Sequence, residues 1–170
     1  MKFLFFLLLS CCSTHQQTVP KELQKYSDLF RNKILTTDKM RERLNKVEFE
    51  LEYLKDYNYV GECYPITWRG NPKVIINMRY FNKSSEINKI SDIMHELGHC
   101  VCHLAHTEES GGTGLGDIIE KIFFRIGFLE KKNDLYDGCP SSIMYPVEFS
   151  DKCFMEHEEY YYEELKNRCI

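Results

Sequence analysis

An α+β domain is the fold class the sequence predicts: a small twisted sheet packed on an N-terminal helix and on a second helix over the region around 86–102, with a third helix closing the chain. Three observations predict it. Val47, Phe49, Leu51 and Tyr53 alternate with Lys46, Glu48, Glu50 and Glu52, the period-two pattern of a half-buried strand. Leu23, Tyr26, Phe30 and Ile34 near the start, and Ile87, Ile90, Met94, Leu97, Val101 and Leu104 further on, recur at three- and four-residue steps and so line one face of a helix each. Once an N-terminal segment is set aside, about 150 residues remain, enough for one domain with a buried core.

In chain order, Met1-Lys2 precedes the short apolar run Phe3 to Leu9, then Ser10-Cys11. About 20 apolar residues are needed to span a bilayer, so this is a targeting segment and not a membrane helix. Leu8-Leu9-Ser10-Cys11 looks like a lipobox, which predicts a lipoprotein signal over 1–10, acylation of Cys11, and a polar tether over 11–19. The domain then occupies 20–170. Pro20 suits the first turn of a helix over 20–35, and the stretch 36–43 is ambiguous. The alternating strand is followed by a second over 57–64 and, after the Asn71-Pro72 turn, a third over 73–78. Residues 82–85 lead into the central helix, where Ser84 or Ser85 can cap it and Glu86 suits its positive end. The glycine-rich stretch 110–116 lacks the Lys-Ser/Thr of a phosphate loop and reads as a loop beside a cleft. A packing helix over 117–129, a polar turn at 131–134 and a terminal helix over 154–168 complete the chain. Tyr160, Tyr161 and Tyr162 in that last helix read as packing, and His157 as a solvated surface residue.

Charge and composition narrow the function. The 22 basic and 26 acidic residues leave a net charge of −4, with both signs mixed along the chain. No basic patch or aromatic-basic motif appears, so no nucleic-acid partner is expected.

The chemistry is concentrated in His95 to His106, H-E-L-G-H-C-V-C-H-L-A-H. On a helix, His95 and His99 are one turn apart on one face, close enough to share a metal ion. Zinc is the expected ion, since it favours nitrogen ligands and in catalytic sites leaves one position to water. Glu96 adjoins that position and can act as general base. All three residues lie off the apolar stripe. For the third ligand, His103 on an unbroken helix would lie about 12 Å from His95, whereas His106 can reach the ion if the helix ends around 102–104 and the chain doubles back. His106 is therefore the expected third ligand, with His103 and the more distant Glu120 as alternatives.

This segment resembles the zinc motif of the metzincin metallopeptidases, H-E-x-x-H-x-x-G-x-x-H. Here the third histidine follows the second by seven residues instead of six, and His103 stands where related longer motifs carry glycine. That position calls for a left-handed backbone. Ser142-Ile143-Met144-Tyr145-Pro146 is similar to the metzincin Met-turn. The resemblance implies that Met144 forms an apolar floor under the histidines and that Tyr145 and Pro146 help shape the substrate pocket. Over most of its mature length the chain also resembles a group of small, largely uncharacterised bacterial lipoprotein-type metallopeptidases. The matching features are Lys21 to Tyr26, Gly61-Glu62-Cys63, His95 to Cys100, Ser142 to Met144, and Tyr160-Tyr161-Tyr162-Glu163-Glu164-Leu165.

Six cysteines remain besides Cys11 and Cys12, and an exported protein would form disulfides from them. Cys63 with Cys100 is the favoured pair, because both flank the resembling motifs and the bond would tie sheet to helix. Cys100 and Cys102 point to different sides of a helix and should not pair together.

These readings together lead to the expectation of an exported, lipid-anchored zinc metallopeptidase at the bacterial cell envelope, on the membrane surface or in the periplasm. It would hold one zinc ion on His95, His99 and His106 and act on a peptide or protein substrate. The competing expectation is a zinc-stabilised envelope lipoprotein that binds partners without catalysis.

Overall fold

The computed structural model describes residues 19–55, 60–65, 70–107, 135, 137–145 and 150–170. The expected signal peptide, Cys11, the glycine-rich stretch, the helix over 117–129, the turn at 131–134, Glu120 and Pro146 lie outside the described residues. Among those described, no helix is long and apolar enough to cross a membrane.

Helix α1 (Lys21–Lys33) starts behind Pro20, whose carbonyl accepts from the Leu23 N–H at 2.8 Å, and buries Leu23, Tyr26 and Phe30. The ambiguous stretch 36–43 folds as α2 (Asp38–Leu44). Thr37 caps it by accepting from the Met40 N–H at 3.3 Å, and Met40 and Leu44 face the core.

Strands β1 (Glu48–Glu52), β2 (Gly61–Tyr64) and β3 (Lys73–Asn77) form a mixed sheet in the order β1-β3-β2. β1 runs parallel to β3 with Phe49 opposite Val74, and β2 runs antiparallel with Cys63 opposite Val74. The expected alternation holds through Val47, Phe49 and Leu51, but Tyr53 is 64% exposed because the strand stops at Glu52. The central strand β3 is the most buried, with Val74, Ile76 and Asn77 inside.

β3 ends one residue earlier than the sequence predicts. Asn77 accepts from the Arg79 N–H at 3.1 Å and so starts a single helical turn, α3 (Met78–Phe81), before the central helix. α4 (Glu86–Cys102) is capped by Ser85, which accepts from the Asn88 N–H at 3.0 Å, with Glu86 in its first turn as expected. Ile93, Met94, Leu97, Cys100 and Val101 are buried, so the stripe read from the sequence faces the core. α5 (Asp151–Arg168) begins three residues before the predicted helix because Ser150 caps it, and it kinks at His157. Tyr161 and Tyr162 are buried, whereas Tyr160 is partly exposed and donates to the Ser141 carbonyl.

Both α1 and α2 pack on α4, as do the sheet and α5. Three disulfides pin this arrangement: Cys63–Cys100 ties β2 to α4, Cys102–Cys169 joins the end of α4 to the end of the chain, and Cys139–Cys153 joins the segment before Ser142 to the start of α5. Cys63–Cys100 is the pair favoured from the sequence. It closes 37 residues, and replacing both cysteines with alanine should lower the unfolding free energy by about 4 kcal/mol, chiefly by freeing the unfolded chain. Urea titration with the other two bonds intact checks this; an unchanged midpoint would contradict it.

Candidate metal centre

The end of α4 brings the third histidine back. His103 adopts φ 57° and ψ 32°, the left-handed conformation expected at that position, and is the described non-glycine residue with positive φ. The N–H groups of His103 and Leu104 both turn back to the Gly98 carbonyl, the latter at 3.2 Å, which closes the helix and reverses the chain. The Thr107 N–H then donates to the Met144 carbonyl at 3.1 Å and fixes the returning segment. His103 itself points into solvent, away from the other histidines. His106, and not His103, is the histidine that stands beside His95 and His99.

The Nε2 atoms of His95, His99 and His106 form a nearly equilateral triangle. His95 lies 3.0 Å from each of the other two, and His99 and His106 are 3.1 Å apart. The tautomers of two rings follow from their partners. His95 Nδ1 donates to the Ile143 carbonyl at 2.8 Å, and His99 Nδ1 donates to the Leu104 carbonyl at 2.6 Å. A carbonyl cannot donate, so both Nδ1 atoms carry the proton and both Nε2 atoms present lone pairs. Burial holds these rings neutral: desolvation, with the neighbouring histidines, lowers His95 to about 3, and desolvation lowers His99 to about 4.

Ring nitrogens whose lone pairs stand about 3 Å from one another repel unless a cation sits among them. Ligands about 2.0–2.1 Å from a tetrahedral ion stand about 3.3–3.4 Å apart, a few tenths of an ångström from this triangle. The donor set, its spacing and its fixed tautomers therefore fit a metal ion, and the three histidines could hold one.

Glu96 is 8% exposed and lies toward the sheet. Its carboxylate accepts a hydrogen bond from the Cys63 N–H, and its Cγ lies 3.2 Å from where a Cβ on Gly61 would stand. Desolvation, then the charges of Asp92 and Glu62, raise its pKa to about 8. A side chain at residue 61 would also approach Ile76 Cδ1 to 2.9 Å and the Ile75 carbonyl to 3.0 Å. Glycine is needed there because β2 and Glu96 come this close.

Met144 is fully buried beneath α4. A Cβ on Gly98 would meet its sulfur at 2.6 Å, so the residue just before His99 must be glycine for Met144 to reach that depth. Ser142 to Tyr145 form a turn closed by the Tyr145 N–H on the Ser142 carbonyl at 3.2 Å. α5 holds this turn in place. Glu164 accepts from the Ser142 hydroxyl at 2.9 Å and from the Ile143 N–H at 3.2 Å, and it pairs with Arg168 at 2.5 Å. Sequence reasoning assigned no role to Glu164 or Arg168, although Glu164 stands in the Tyr160 to Leu165 match. Only the spacing of a carboxylate and a cation at i,i+4 could have marked them.

Asp137, Cys139, Glu156 and His157 form a second group of donor residues. Cys139 is bonded to Cys153, so it offers no thiolate, and His157 Nε2 sits 2.6 Å from Asp137 Oδ2. His157 is half-buried on that partner and is not the solvated residue read from the sequence.

No family model matches the chain, and no curated protein or solved structure does.

Two predictions follow from the site's packing and charges. Gly98→Ala should destabilise the protein by about 1–3 kcal/mol as its methyl collides with Met144; a neutral effect in denaturant titration would contradict the packing. In the metal-free protein, kept so by chelator, the folded state retains the Glu96 proton up to about pH 8, while an unfolded Glu releases it near its ordinary 4.5, so stability falls as pH rises between those values. His95 and His99 act in the opposite direction. The unfolded chain takes up protons below 6.5 that the folded sites refuse until about 4 and about 3, so stability also falls toward acid. Thermal midpoints should therefore peak near pH 6.5, and Glu96→Gln should flatten the fall from there to about pH 8 while steepening the acid one, because Glu96 no longer offsets part of the histidines' loss. An identical alkaline fall in that variant would contradict the assignment.

Proposed function

We propose that this chain is a zinc-dependent metallopeptidase of metzincin type, with His95, His99 and His106 holding one zinc ion and Glu96 as general base. The observation that carries the reading is the convergence of three Nε2 atoms within 3.1 Å of one another, with a buried carboxylate on the residue next to the first of them. A purely structural zinc site takes four protein ligands and has no need of a base. Bound zinc would supply Lewis acidity, polarising a carbonyl and acidifying a water.

Glu96 does the proton work. Its carboxylate is held by the Cys63 N–H, and a dication bound on the neighbouring histidines would bring its pKa down from the metal-free value of about 8. It takes a proton from the attacking water and delivers it to the departing amine. Met144 supports the histidines from below, as the Met-turn resemblance implies, and Tyr145 borders the substrate pocket in the same reading.

A peptide substrate suits the edge of the sheet. Val60 pairs with Asn77 through the Asn77 N–H at 2.9 Å, which by alternation directs the backbone groups of Gly61 away from β3, together with the Cys63 carbonyl, while the Cys63 N–H on that side is taken by Glu96. β2 is one of the two edge strands among the described residues, and it packs against α4. An extended chain could add there by backbone bonds. Three disulfides accord with an oxidising compartment, in keeping with a lipoprotein signal over 1–10, acylation at Cys11 and a tethered enzyme at the envelope.

The test is a metal assay paired with digestion of a peptide library. Wild type should bind about one zinc and cleave; Glu96→Gln should keep zinc and lose about 10²–10⁴-fold in rate; His106→Ala should lose the metal. Zinc binding with no cleavage by either wild type or Glu96→Gln would overturn the peptidase reading in favour of a zinc-stabilised binding protein.

A further inference from the structure

The geometry points to Glu164 as a remote positioning residue for the metal centre, acting on His95 through Ser142 and the peptide unit between Ile143 and Met144. This rests on the metal-binding reading above. The connection is an unbroken line of hydrogen bonds. Arg168 pairs with Glu164 at 2.5 Å and also donates to Ser142 Oγ at 3.1 Å. The Ser142 hydroxyl donates to Glu164 Oε1 at 2.9 Å while its oxygen accepts from the Met144 N–H at 3.0 Å.

The carbonyl of that same peptide unit, Ile143 C=O, accepts from His95 Nδ1 at 2.8 Å. One end of a planar, polarisable peptide is thus tied to an anion through a hydroxyl, and the other end orients a ligand imidazole. Glu164 fixes the adjoining peptide as well, by accepting from the Ile143 N–H at 3.2 Å.

The consequences are two. The peptide plane cannot rotate, so His95 keeps the tautomer that leaves Nε2 free for metal. Negative charge relayed from Glu164 makes the Ile143 carbonyl a stronger acceptor, and this raises the basicity of His95 Nε2. A carboxylate bound directly to a metal-ligating histidine does the same over a shorter path. The placement of Glu164 bears this out. Its side chain is only 13% exposed, its charge is balanced by Arg168, and both its oxygens are aimed at the turn beneath the histidines.

Ser142→Ala removes the hydroxyl link and leaves Glu164 and Arg168 in place; Glu164→Gln keeps the shape and removes the charge. Zinc affinity is measured by competition with a chromogenic chelator, and the visible spectrum of the cobalt-substituted protein reports the ligand field, which general loosening of the fold would not shift in a defined way. Far-UV circular dichroism selects the folded variants, and either one suffices. The expected result is a zinc affinity about 10–100-fold weaker, with a displaced cobalt band. Wild-type affinity and an unshifted band in a folded variant would overturn the relay while leaving the metal centre standing. A wild-type protein that binds neither ion would instead overturn the metal-centre reading and the relay together.

Discussion

Three imidazole nitrogens held within 3.1 Å of one another oppose one another, and the rest of the fold is arranged around holding them there. Two of the three sit one turn apart on α4, which needs only the helix itself. The third depends on the helix ending after Cys102 and on the left-handed backbone at His103. A non-glycine residue in that conformation costs on the order of 1 kcal/mol. The turn is held from outside by the Cys102–Cys169 bond and by the Thr107 hydrogen bond to Met144.

The same economy of contacts governs the floor of the site. Gly98 and Met144 are complementary: the missing side chain of one is the space filled by the other. Met144 is set at that depth by a turn whose polar groups are answered by Glu164 and Ser142. Buried polar groups of this kind are costly when half-satisfied and rigidifying when fully answered. α5 thus contributes to the site without placing any atom among the three nitrogens. Gly61 plays the corresponding part on the opposite side, where β2 closes onto Glu96 and the Cys63–Cys100 bond locks the strand to the helix.

Elements with strong periodicity were legible in the chain itself. The α1 and α4 stripes, the alternation at 47–52 and the Ser85 cap each arise from local forces, and each is found where the pattern puts it. The His95 and His99 pairing was legible for the same reason, as was the fold class at the level of a small sheet with helices. His106 was legible only conditionally, because its place depends on where a helix stops. What could not be read was set by distant partners. α3 exists because Asn77 caps it, and Tyr53 is exposed because β1 ends first. His157 finds Asp137 across 20 residues, and the Glu164 network joins groups 21 and 22 residues apart. No period in the sequence encodes such meetings.

The central claim is that one ion is bound by three imidazoles, and X-ray absorption at the zinc edge of the zinc-loaded protein addresses it without reference to any substrate. The account predicts a first shell of three nitrogens at about 2.0–2.1 Å with the multiple-scattering pattern of imidazole, completed by oxygen. A first shell containing sulfur at about 2.3 Å, or one with fewer than three imidazoles, would contradict it.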